Sequence, residues 1–177
     1  MNNEKVMASE IADGETFVVA GIEFIKFPEK DGAFVAVAKG SLGDKVFDNN
    51  SNDFSKSSLL KYLEKDILPK IEAEVGAENV LEFETDLYSL DGHRKYGVMK
   101  SKISLPTFDF YRENRETFDK HHLNEWWWLS TPNGEKYYVV VVAPSGYVNC
   151  NIGCYCRDSG VRPVLLFSSS IFVSREA

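Results

Sequence analysis

Apolar positions change their spacing twice along the chain. Residues 17–27 read FVVAGIEFIKF, two short apolar runs about Gly21, and residues 33–38 read AFVAVA after an Asp31-Gly32 turn signal. Runs of this length, rich in Phe, Val and Ile, predict three strands joined as an N-terminal β-meander. Beyond the polar stretch 44–58, whose Asn, Asp and Ser content predicts a surface loop, the spacing lengthens. Leu60, Leu63, Ile67, Ile71 and Val75 recur at steps of three and four, which predicts one helix over 58–75. A serine near its start can cap it, and Gly76 suits its stop. Pro69 removes a donor inside the pattern and predicts a kink.

Pro106, Phe108, Tyr111, Arg115 and Phe118 predict a second, shorter helix with the proline in its first turn. After residue 125 strand-length runs return at 136–143, 147–156, 161–167 and 171–173, separated by turn residues. The pattern predicts an α+β protein: a β-meander, two helices and a β-rich C-terminal half. Residues 1–177 read as a single domain, with 1–10 expected to be a flexible lead.

A chain of 177 residues with 44% hydrophobic and 13% aromatic content is too apolar to stay unfolded and long enough to bury a core without disulfides. The net charge of −7 is unevenly spread. Residues 137–177 carry three cations and two anions; the preceding 136 residues carry 17 and 25. An acidic body argues against direct nucleic-acid binding, which needs a basic face. The N-terminal sequence lacks a signal-peptide apolar run, and no stretch has the length of a membrane span. The expectation is a cytoplasmic or virion-associated protein with no membrane insertion.

Candidate chemistry is sparse. The three cysteines, Cys150, Cys154 and Cys156, match neither the ligand count nor the spacing of a structural zinc site, even with His121 and His122 added. They read as free thiols of a reducing compartment. There is no G-x-S-x-G elbow, phosphate-binding glycine loop or H-E-x-x-H. Glu82, Glu84 and Asp86 alternate along an apparent strand and read as a solvated acidic face. No cofactor and no metal are expected.

Three segments resemble a known pattern: WWWLSTP (126–132), the run ending SGYV (145–148), and GVRPVL (160–165). They resemble a phage- and Firmicutes-associated family with a W-W-L-x-[ST]-P … G-x-V … G-V-R-P-x-L tail, itself similar to C-type-lectin-fold proteins. Among those, the most informative are the variable proteins diversified by retroelements. AGIEFIKF, VAVAKGSL and SKISLPTFDFYRENRETFDK extend the resemblance over most of the chain. It implies a C-type-lectin-like fold in which the Trp run and the G-V-R-P segment are scaffold. Trp126 and Trp128 point to one face of a strand and Trp127 to the other, and the first two are expected in the core. Arg162 is expected to tie loops together through its donors. Thr131-Pro132-Asn133 lacks the acidic residue of a calcium-binding sugar site, and no Trp-Asn-Asp is present.

Residues 147–159, YVNCNIGCYCRDS, differ in kind from their flanks. Tyr, Asn and Ser are residue types that binding loops favour. In the retroelement-diversified proteins the corresponding stretch is the variable one. Tyr147, Asn149, Asn151, Tyr155, Arg157 and Asp158 are therefore the candidate ligand-binding residues, for a protein or cell-surface ligand and without catalysis. Two alternatives stand beside this reading. One is an acidic inhibitor of a host nucleic-acid enzyme or defence protein. The other is a thiol enzyme resembling formylglycine-generating enzymes, using Cys150 with Cys154 or Cys156.

Overall fold

The computed structural model describes residues 5–175. The N-terminal half contributes β1 (Lys5–Met7), β2 (Thr16–Val19), β3 (Ile22–Lys30) and β4 (Ala33–Ala38), then α1 (Ser58–Tyr62) and α2 (Leu68–Val75). Short strands β5 (Val80–Leu81), β6 (Phe83–Asp86), β7 (Val98–Ser101) and β8 (Ile103–Ser104) lead to α3 (Phe108–Glu113) and α4 (Arg115–Lys120). The C-terminal part adds β9 (Trp127–Pro132), β10 (Tyr138–Val142), β11 (Val148–Gly153), β12 (Val164–Ser168) and β13 (Phe172–Ser174). The α+β class, the meander β2–β3–β4 and the strand-rich C-terminal half are as the sequence predicts.

The largest sheet runs β1-β13-β2-β3-β4-β12-β5, with β8 also paired to β12. Its centre is shared between the two ends of the chain, since β12 lies against β4 over five registered pairs, from Val164↔Val37 to Ser168↔Ala33. Pairing of β1 with β13 closes the chain ends together. Within the expected flexible lead 1–10, β1 is paired in that ladder and Val6 is buried. Residues 1–4 lie outside the described residues.

Two cores flank the sheets. On one side Phe17, Phe24, Phe34 and Phe167 meet at ring separations of 5.7–6.1 Å, and Leu59, Leu63 and Ile71 of the long helix cover them. On the other side Ile25, Phe27, Val37 and Val164 pack with Tyr111, Phe118, Trp127 and Leu129. Strand β10 serves both, with Val139 and Val141 on one side and Val140 and Val142 on the other. A strand covered on both faces reads as an unbroken apolar run, which is why 138–142 shows no alternation.

The helix predicted over 58–75 is continuous, but α1 and α2 are joined by a π-helical turn, Leu63–Ile67. The wider turn sits just ahead of Pro69, at the place where the missing donor disturbs the i→i−4 ladder. Ser57 caps the start, its hydroxyl accepting from Leu60 N at 3.0 Å. The second helix is divided at Asn114 into α3 and α4, and Pro106 precedes the Thr107 cap rather than entering the first turn.

Stretch 44–58 corrects its reading as a surface loop. Phe47 and Phe54 are fully buried, their rings 5.6 Å apart, and Asn52 is 1% exposed. Two phenylalanines among many polar residues suffice to draw the segment inward. Trp127 and Trp128 are the fully buried pair of the tryptophan run, whereas Trp126 is half-buried, which reverses the expected ranking of Trp126 and Trp127. The alternation itself is as predicted: Trp126 and Trp128 face one core and Trp127 the other.

Candidate functional site

The two scaffold motifs are bonded directly to each other. Gly160 N donates to Trp126 O at 2.7 Å, and Trp128 N donates to Gly160 O at 3.1 Å. A Cβ at Gly160 would collide with the Ser41 hydroxyl and lie 3.3 Å from Trp126 O, so the approach requires glycine. Trp128 Nε1 then reaches across to Lys45 O at 2.7 Å. Segment 147–158 is therefore suspended between β10 and a fixed point at Gly160.

The segment begins at a tight turn. Gly146 N donates to Ala143 O at 2.8 Å, and Gly146 takes φ +79°, a conformation that side chains disfavour. The buried Tyr111 hydroxyl donates to Gly146 O at 2.7 Å, which fixes the turn to α3. Tyr147 follows and stands 75% exposed. Next, β11 forms the edge of the three-stranded sheet β11-β10-β9. Its pairing with β10 shifts register between Val139 and Val141, which reverses the facing of the strand part-way along: Cys150 packs toward one core and Ile152 toward the other.

Asparagines shape this irregularity. Asn151 N donates to Asn149 Oδ1 at 2.9 Å, and Asn133 Nδ2 donates to Cys150 O at 2.7 Å. Asn149 and Asn151 thus commit an acceptor to, respectively, the local turn and Asn133, at 3.4 Å in the second case. Asn149 is half-buried and Asn151 is exposed. Beyond β11, Cys154 N donates to Tyr137 O at 2.7 Å, and Cys154 O accepts from both Phe47 N and Asp48 N at 3.0 Å. Tyr155, 57% exposed, folds its ring back over Gly153. Arg157 and Asp158 are exposed on the descent to Gly160. Arg157 edges a shallow groove with Lys45, Leu59 and Tyr62, in which the Lys45 ammonium lies 4.3 Å from the Tyr62 ring centre.

The six sequence-selected residues lie on one continuous segment but do not converge on a point. Tyr147 precedes and Tyr155 follows the six-residue β11, so the two stand at its opposite ends. Tyr137, at the start of the run 136–143 that predicts a strand, is 46% exposed, and its carbonyl accepts from Cys154 N, at the Tyr155 end. Its position just after the 130–134 turn signal marks it as the mouth of a strand rather than its middle.

Other constellations lack reactive geometry. The Ser89 hydroxyl donates to Asp91, and the His93 Nε2 lies 3.6 Å from the opposite Asp91 oxygen. Here the carboxylate stands between serine and histidine, the reverse of the order that activates a serine hydroxyl. The hydrogen bond from Ser89 holds the Asp91 carboxyl below its ordinary value. Cys154 is buried, and desolvation, with Asp48 nearby, pushes its thiol up, away from the reactive thiolate. Glu82, Glu84 and Asp86 are all exposed, with Glu84 3.4 Å from Lys100. Among the described residues no group of three or more His, Cys, Asp or Glu is placed to hold a metal ion, and no helix is long and apolar enough to cross a membrane. The chain matches no family model, no curated protein and no solved structure.

Proposed function

We propose that the chain is a non-catalytic binding protein that captures a protein or cell-surface ligand along 147–158. The observation that carries the reading is two largely exposed tyrosines on a main chain anchored at both ends. Tyr147 is 75% and Tyr155 57% exposed, while Tyr111, Asn133 and the 47–48 backbone fix the segment between and beside them. Exposed aromatic rings cost solvation unless something covers them, and a rigid base lowers the ordering cost of covering them. Tyr and Arg are also the residue types that dominate interface energy.

The placing of the two tyrosines at opposite ends of β11 favours an extended protein surface over a small molecule. Asn151, Arg157 and Asp158 add polar contacts around the aromatic anchors, and Asn149 acts by shaping the turn. The resemblance to the phage-associated, C-type-lectin-like family agrees with this assignment, with 147–158 as the displayed segment and the Trp and G-V-R-P motifs as its frame. The reading is tested with peptides selected by the wild-type protein from a displayed random library. Replacing Tyr147, Tyr155 and Arg157 by alanine is expected to abolish their binding without unfolding the protein. Undiminished binding by that variant would overturn the assignment.

A further inference from the structure

Asn133-Gly134 is the one Asn-Gly pair in the sequence. It lies in the turn after β9, where Asn133 is half-buried and Gly134 exposed. The Asn133 amide holds the edge strand, its Nδ2 donating to Cys150 O at 2.7 Å. Its Oδ1 accepts from Glu135 N at 3.1 Å, while among the described residues Gly134 N donates to nothing. A Cβ at Gly134 would run into the Asp91 carboxylate, so the packing of the 89–93 turn keeps this position glycine. A pocket of about 160 Å³ opens beside the pair, with Asp91, His93 and Lys95 on its wall, and admits water to it.

In an asparagine followed by glycine, the next main-chain nitrogen reaches the side-chain carbon most freely, since no Cβ obstructs its approach. The glycine nitrogen gives up its proton to hydroxide and forms a bond to Asn133 Cγ. The Cγ–Nδ2 bond breaks, and ammonia leaves with a proton from water. Water then opens the succinimide at either carbonyl, giving aspartate or isoaspartate. The Glu135 N–H lies on the oxygen where negative charge develops, which favours the attack. The bond to Cys150 O opposes it, because the leaving nitrogen must first let go of β11.

We propose that Asn133 is a deamidation site built into the support of the 147–158 segment, and that its conversion unpins β11. The aspartate product puts a carboxylate where an amide donated, facing Cys150 O and Asn151 Oδ1. In the isoaspartate product the main chain runs through the former side chain. The Asn133 carbonyl, which accepts from Asn52 Nδ2 at 3.0 Å, then becomes the free carboxylate. Both products remove the donor that stands in where the β10–β11 ladder is interrupted. The consequence for ligand capture rests on the reading of 147–158 as a capture surface; the modification itself does not.

The test incubates the full chain, folded and in denaturant, in a series of mildly alkaline buffers, and follows each asparagine by peptide mapping with isoaspartate-specific methylation. In the folded chain Asn133 is expected to convert ahead of every other asparagine, faster as hydroxide rises and more slowly than in denaturant. The three Asp-Gly pairs react through the same ring without a change of mass, so they do not obscure it. The converted fraction, separated by its extra negative charge, is expected to melt about 4 °C or more below wild type. Its amides around Cys150 and Asn151 are expected to exchange faster, and Asn133→Asp to reproduce the aspartate share of both effects. No conversion of Asn133 in the folded chain, or conversion that leaves melting and exchange unchanged, overturns the inference. Converted protein with a freed β11 that still binds peptides selected by wild type overturns the link to capture alone. Undiminished binding by the tyrosine–arginine variant would overturn the capture reading and leave the deamidation standing.

Discussion

Asn133 donates its side-chain amide to the main-chain carbonyl of Cys150 at 2.7 Å, joining the turn after β9 to the edge strand β11. The bond comes where the β10–β11 register shifts, so a side chain takes over where the ladder is interrupted. Asn133→Ala is expected to cost about 1–2 kcal/mol and to speed amide exchange around Cys150 and Asn151. Asn133→Asp should cost more, because it sets a carboxylate against the Cys150 carbonyl and Asn151 Oδ1. Thermal melts with hydrogen exchange measure both effects.

Asn52 is the deeper pin. Its Nδ2 reaches the carbonyls of Asn133, Glu135 and Tyr138 at 3.0, 2.8 and 2.8 Å, and its Oδ1 accepts from the Tyr96 hydroxyl at 2.8 Å. Asn52→Ala leaves several polar groups unmatched at a buried position and is expected to cost about 2–4 kcal/mol in denaturant unfolding. Tyr96→Phe, which removes one of those bonds, is expected to cost about 1 kcal/mol.

Cys154 titrates above its ordinary value of 9.0, through burial first and Asp48 second. The unfolded chain therefore loses this proton before the folded one does. The contribution to stability is complete below pH 9 and declines as pH rises from there through the folded-state pKa. Wild type is expected to lose stability across that window relative to Cys154→Ala, in paired denaturant titrations. In the folded protein at pH 8, Cys154 should be alkylated more slowly than in denaturant, as followed by mass spectrometry.

Much of the architecture is legible in the residues themselves. Short apolar runs about Gly21 and Asp31-Gly32 give the meander, and the spacing of Leu60 to Val75 gives the long helix. Pro69 marks the place of an irregularity but not its form, since a kink and a π turn both answer a missing donor. In 44–58 Phe47 and Phe54 are the legible cue to burial, outnumbered by polar residues, whereas Asn52 is drawn in by carbonyls that come together only in the folded chain. Trp127 and Trp128 outrank Trp126 in burial because both faces of β9 are covered, which the sequence of one strand does not reveal. For the candidate site, exposure of Tyr147 and Tyr155 follows from the turn residues around them. The burial of Arg162 against Phe118 and Trp127 depends on how α4 and β9 pack around it, which the G-V-R-P segment by itself does not show.

The central claim concerns the surface of 147–158, and peptide capture by paired variants tests it most directly. Tyr147, Tyr155 and Arg157 are replaced together by alanine, and a control carries alanine at the exposed Glu64, Lys65 and Asp66 on the π turn. Exposed positions contribute little to folding, so the melting temperature of each variant is expected to stay within about 4 °C of wild type. Peptides selected by wild type from a random displayed library are then measured against all three proteins. The account predicts that the tyrosine–arginine variant loses binding by at least tenfold while the control retains it. Equal binding by all three proteins, or a collapse of the fold in the tyrosine–arginine variant, would contradict it.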